Sequence, residues 1–163
     1  LTSVSMNQSA SNTTGNAIGS LTPTQVRAEL QGCVDSARSL QQKACKHLQG
    51  DLDSEQIQLF ELAFSEAELT ACAVVLKELE TQPDNSLLLL TGRFFVAQTL
   101  QNQLSRLAER PGDYGLSGSD LTAAFATSCC DVLAGALDSE ALVALGTAFV
   151  ESNGEPAGAN RRS

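Results

Sequence analysis

From Thr22 onward, apolar residues recur at steps of three and four, with polar residues between them, the period of helices buried along one side. The first such segment opens on "LTPTQ", where Thr22 supplies an N-cap, Pro23 takes the first helical position and Gln25 completes a capping box. Val26, Leu30, Cys33, Val34, Ala37, Leu40, Ala44 and Leu48 form one apolar stripe. Lys43, Lys46 and His47 suit the negative end of the helix dipole, and Gly50 ends the helix. A second helix opens at Asp53, with Gln56 three residues on, and runs to about Gln82, where Pro83 stops it. A third starts near Asp84 or Ser86 and runs to Arg110, with Leu90, Phe94, Ala97, Leu100, Leu104 and Leu107 inward, and "RPGDYG" turns the chain. A fourth spans about Ser119 to Leu133. A fifth spans Asp138 to about Val150, with Leu142, Leu145 and Phe149 inward.

The second helix departs from the single-stripe pattern. Phe60, Phe64, Ala67, Ala71 and Val75 form one apolar row, and Leu62, Leu69, Cys72, Leu76 and Leu79 form another about 100° away. Two rows imply two neighbours, so this segment is expected to be the central helix. Glu61, Ser65 and Glu68 occupy the strip between the rows, with Glu66 and Thr70 at its margin. The strip reads as a solvated edge, and Glu66 also reads as a partner-facing carboxylate.

Connections of a few residues between long helices imply antiparallel neighbours. The expected fold is all-α: an up-down antiparallel helical bundle of four to five helices over residues 21–151. Residues 1–20, polar and almost uncharged, and residues 152–163 read as disordered tails. Met6 offers an initiator, with five residues of upstream sequence before it.

Composition agrees with this class. A chain of 163 residues can bury roughly 70% of the surface its unfolded form exposes, and its apolar content rests on Leu and Ala, strong helix formers. The net charge of −9 is uneven. Residues 51–82 carry eight acids against Lys77, a net of −7, whereas residues 22–50 carry four bases against two acids. An acidic surface repels phosphate backbones, so nucleic acid is excluded as a partner. No apolar run reaches the ~20 residues that span a bilayer. Five cysteines without CxxC spacing argue against a disulfide framework or a zinc site, and place the chain in reducing cytoplasm.

Catalytic chemistry finds few parts. The one histidine, His47, lies at a helix end. A Glu-x-x-His metal motif cannot be built on it, and no base is left for a nucleophile pair. Neither GxGxxG after a strand nor a GxxxxGK phosphate loop occurs. The adjacent Cys129 and Cys130 read as half-buried, with Asp131 beside them disfavouring a thiolate. The most unusual run is "SLLLLTGRFFVAQ", where Gly92 inside a helix invites a close approach. Arg93, Phe94 and Phe95 then read either as an exposed rim for a partner or ligand carboxylate, or as a buried turn with Arg93 paired to an acid of the second helix.

"FELAFSEAELTACAVVL" resembles a helix of the acyl-CoA dehydrogenases with the pattern F-x-L-A-x-x-x-x-E-L-x-A-A-x-x-L. Phe60, Leu62, Ala63, Glu68, Leu69 and Ala71 match, and Cys72 replaces a second Ala. "GRFFVAQTLQNQL" looks like the next helix of such a bundle. The resemblance covers about a fifth of the chain and implies a helical domain that walls acyl-CoA and FAD sites beside a flavin-bearing chain, with a groove along the second and third helices. The family's β-rich domain, its Gly-Gly turn and its late Arg-containing segment are absent from this sequence, and no catalytic glutamate can be placed. Two functions follow as expectations. One is an acidic interaction module or partner subunit with a protein partner or homo-oligomer. The other is a detached dehydrogenase-like domain, which alone would involve FAD or acyl-CoA.

Overall fold

The computed structural model describes residues 21–48 and 53–152, with Thr127 and Ser128 described by their backbone. The first helix, α1 (Pro23–His47), starts as its sequence dictates. Thr22 is extended, its Oγ1 accepts from the Gln25 N–H, and Gln25 Oε1 accepts from the Thr22 N–H at 2.8 Å. The whole expected stripe points inward, with Val26 half-buried and the rest buried.

A second helix, α2 (Gln56–Thr81), returns antiparallel. Gln41, near the end of α1, donates to the Leu62 carbonyl, and Arg27, near its start, lies 3.9 Å from Glu80 at the far end of α2. The N-cap of α2 is Glu55 rather than Asp53, and it makes no side-chain cap. Next comes α3 (Ser86–Glu109), opened by Asn85, whose side chain accepts from the Leu88 N–H at 3.0 Å. Its early residue Gly92 lies against Val75 and Leu79 of α2, while Arg106 and Arg110 reach Glu68 and Glu61, so α2 and α3 are also antiparallel.

After α3 the chain makes a 3-10 turn (Pro111–Tyr114) closed by Gly115 at φ +60. The His47 ring occupies the place where a Cβ on Gly115 would stand, so this position requires glycine on two counts. The expected fourth helix is two, α4 (Gly118–Ala124) and α5 (Thr127–Leu137). Ala126 between them is extended (φ −49, ψ 156), and the break turns both Phe125 and Cys129 into the core. The last helix, α6 (Ser139–Glu151), is capped by Asp138, which accepts from the Ala141 N–H. Six helices therefore stand where four to five were expected. The expected tails lie outside the described residues, except Ser152, which ends α6.

The core runs along α1, α2 and α3 through Leu30, Val34, Leu69, Leu76, Val96 and Leu100, and Tyr114, Phe125 and Leu133 join it from the later elements. Fully burying each leucine or valine contributes about 1.5–3 kcal/mol. Two placements differ from the sequence reading. The central helix is α3, which packs against α1, α2, α5 and α6. And α6 lies on the surface, with Leu142 and Phe149 exposed and Leu145 half-buried.

Candidate interaction surface

On α2 the row of Leu62, Leu69, Cys72, Leu76 and Leu79 is buried. The row containing the phenylalanines is not: Phe60 is 73% exposed and Phe64 53%. The expected wet strip lies closer to the core than they do. Ser65 is buried, and Glu61 and Glu68 are half-buried and paired.

The reason lies at the end of α3. Arg106 donates to Glu68 and, at 3.4 Å, to Ser65 Oγ, and its guanidinium stands 5.7 Å from the centre of the Phe64 ring. Arg110 donates to both carboxylate oxygens of Glu61 at 2.9 and 3.1 Å. Tyr114, 1% exposed, donates its hydroxyl to the same carboxylate. Burial and that hydrogen bond push the Tyr114 hydroxyl up to about 12. Half-exposed ion pairs contribute at most ~1 kcal/mol each, so their main effect is to set the rotation of α2. Burying Glu61 and Glu68 unpaired would cost more than leaving two phenylalanines in water.

A polar ladder holds the other edge. Gln103 of α3 donates to Gln41 of α1 at 2.8 Å, and Gln41 donates to Glu66 at 2.9 Å and to the Leu62 carbonyl at 3.2 Å. Gln41 and Gln103 are buried and stand at core-facing steps of their helices, beside Leu40 and Ala44 and beside Leu100 and Leu107. That register is the signal by which the sequence could have revealed them.

Between these edges, α2 shows solvent a continuous seam of Ile57, Phe60, Phe64, Ala67, Ala71 and Val74, with Ala71 half-buried and the others exposed. The steps are three, four, three, four and three, the a/d spacing of a coiled coil. Ala63 and Thr70 lie alongside, and no charged residue occupies the seam over its length of about five turns, with Glu61 and Glu68 flanking one side and exposed Glu66 beyond the other.

The other expected site residues do not converge. Gly92 is buried, and a Cβ there would stand 3.0 Å from Val75 and 3.2 Å from Leu79, so α2 is what approaches it closely. Arg93 is half-buried and lines a groove of about 910 Å³ between α1 and α5, where Val26, Cys33, Cys129 and Val132 form part of the wall. Among the described residues it makes no ion pair, so pairing with an acid of α2 is not what holds it. Phe94 is half-buried and Phe95 is 38% exposed. Successive helical residues point about 100° apart, which spreads these four around the helix instead of forming one rim. Glu66 is exposed and engaged by Gln41.

The hydrogen bond between the groove's two thiols acts in opposite directions, lowering Cys129 and raising Cys33. Its hydrogen bond with Cys129 and its burial push the Cys33 thiol well up, and burial pushes Cys72 up to about 11. Thiolate, the reactive form, is therefore suppressed at both near neutral pH. Cys129 is buried and Cys130 exposed, its Sγ donating to the Phe125 carbonyl.

Fold and surface together define an all-α bundle with exposed apolar side chains on the outward face of α2 and, on α6, at Leu142, Val143, Phe149 and Val150. No family model, curated protein or solved structure matches the chain. Among the described residues, no single helix is long and apolar enough to cross a membrane.

Proposed function

We propose that this chain is a helical protein-interaction module, or the partner subunit of a larger assembly, that docks through the outward face of α2. One observation carries the reading: an uncharged apolar seam about five turns long on a chain of net charge −9. Burying each exposed Phe of that seam stabilises a complex by about 1.5–3 kcal/mol, and a contiguous apolar patch with a polar rim is characteristic of a docking site. The acidic remainder keeps the chain soluble and repels nucleic acid. Free cysteines suit a cytoplasmic setting. No catalytic role is assigned to the chain by itself.

The test is a photoreactive benzoyl-phenylalanine in place of Phe60, which keeps an aromatic ring at that exposed position, with the chain expressed in cells at low level. Covalent adducts are expected on illumination, and the added pair Ile57→Glu and Phe64→Glu abolishes them while helix content by circular dichroism is kept. Absence of adducts from the Phe60 position would remove the reading.

The resemblance to acyl-CoA dehydrogenases supports a second reading, because the resembling helix is the one that turns Phe60 and Phe64 outward, where a flavin-bearing chain could cover them. Retention of FAD, or calorimetric binding of a medium-chain acyl-CoA, by the purified chain with such a partner would establish it. The groove that this reading expects along α2 and α3 lies instead between α1 and α5.

A further inference from the structure

The seam of α2 is self-complementary in a single orientation. From the α2–α2 register we infer that the partner is a second copy of this chain, with the two α2 helices paired antiparallel about a two-fold axis between Ser65 and Glu66. This rests on the interaction reading above and specifies its partner. In an antiparallel coiled coil, a positions meet d positions of the facing helix. That register sets Ile57 against Val74, Phe60 against Ala71, and Phe64 against Ala67, then repeats the three layers in reverse. Every phenylalanine meets an alanine, so large and small side chains interdigitate. A parallel pairing would place Phe60 on Phe60 and Phe64 on Phe64, and leave gaps at Ala67 and Ala71.

Charge fits the same arrangement. Along one edge Glu61 comes beside Glu68 of the second copy, and each already holds its own arginine, Arg110 and Arg106. Arg110 also lies 3.7 Å from Asp113, so each copy brings two guanidiniums and three carboxylates to that edge. Along the other edge Ala63 comes beside Thr70, small residues that let the helices close. No acid occupies a seam position between Ile57 and Val74, and exposed Glu66, engaged by Gln41, stands on the far margin of α2.

The experiment is molar mass by light scattering on the full chain, from about 1 μM to 1 mM, the range that brackets a modest interface. The mass is expected to double with concentration. Phe64→Ala leaves a gap and Ala67→Phe sets Phe against Phe, so each alone weakens the dimer at least tenfold. The double variant Phe64→Ala with Ala67→Phe restores the large–small pairing and the dimer. Helix content checks that each variant folds. A wild type that stays monomeric, or a double variant weaker than both single ones, overturns the antiparallel register. The adducts from the Phe60 position separate this failure from that of the broader reading. A photoproduct of twice the chain mass supports self-pairing. An adduct of any other mass with monomeric chain ends self-pairing and leaves the interaction reading standing, and no adduct ends both.

Discussion

Tyr114 is the only tyrosine of a chain that has no tryptophan, so its ionisation can be followed directly by phenolate absorbance. Burial and its hydrogen bond to Glu61 favour the neutral phenol and raise it from its ordinary 10 to about 12. The sign follows from linkage: the stabilisation is complete below pH 10 and is lost as pH climbs toward 12. An alkaline titration of the folded chain is expected to centre near 12, and in denaturant near 10. Glu61→Ala should move the folded midpoint downward and cost about 1–3 kcal/mol, since it leaves the buried hydroxyl without its acceptor. A native midpoint at the ordinary value would show that Tyr114 does not hold Glu61 in this way. The glutamates of α2 thus have a structural use: Glu61 and Glu68 orient the helix through groups that lie 38 to 53 residues further along the chain.

The element scale is set by the crossing of α2 and α3 at Gly92. The contacts there are side-chain ends, Val75 Cγ1 and the Leu79 methyls. Alanine at this position gains up to ~1 kcal/mol of helix propensity over glycine, which offsets the small shift the neighbours must make, so Gly92→Ala should alter stability little. Gly92→Val adds branched bulk at a 3.0 Å approach and is expected to destabilise by about 1–3 kcal/mol. Chemical denaturation of the two variants checks the contrast. Equal, small effects would mean that the helices part more easily than their packing implies. The same crossing explains why Gly92, Arg93, Phe94 and Phe95 serve different neighbours: with Gly92 fixed against α2, helical geometry turns Arg93 toward the α1–α5 groove and Phe95 outward.

At the scale of the whole molecule, the acidic exterior competes to be the docking face with the apolar surfaces, the seam of α2 and the exposed side of α6. They respond differently to salt. A basic partner held by the acidic exterior would be lost steeply as ionic strength rises. Association through the uncharged seam should change less than about threefold between low and high sodium chloride, and sulfate should strengthen it. Sedimentation across a salt series distinguishes them, and a steep loss of association would assign docking to the acids.

Much of this architecture was legible in the chain. Local hydrogen bonding and burial period act within a few residues, so the Thr22–Gln25 box, the α1 stripe and the C-terminal ends of α2 and α3 followed from sequence alone. The break between α4 and α5 did not, because no proline or glycine stands between Ala124 and Thr127. The pull of Phe125 and Cys129 into one core comes from packing. The seam of α2 was half legible. Its apolar row was visible, but a helix with two apolar rows does not say which one faces inward. Arg106, Arg110 and Tyr114 decide that by meeting Glu61 and Glu68. Sequence determined the long helices and the Thr22–Gln25 cap, interactions closed within a turn or two. Tertiary structure determined the rotation of α2 and hence the face left to solvent, because that depends on charge partners only the fold brings together.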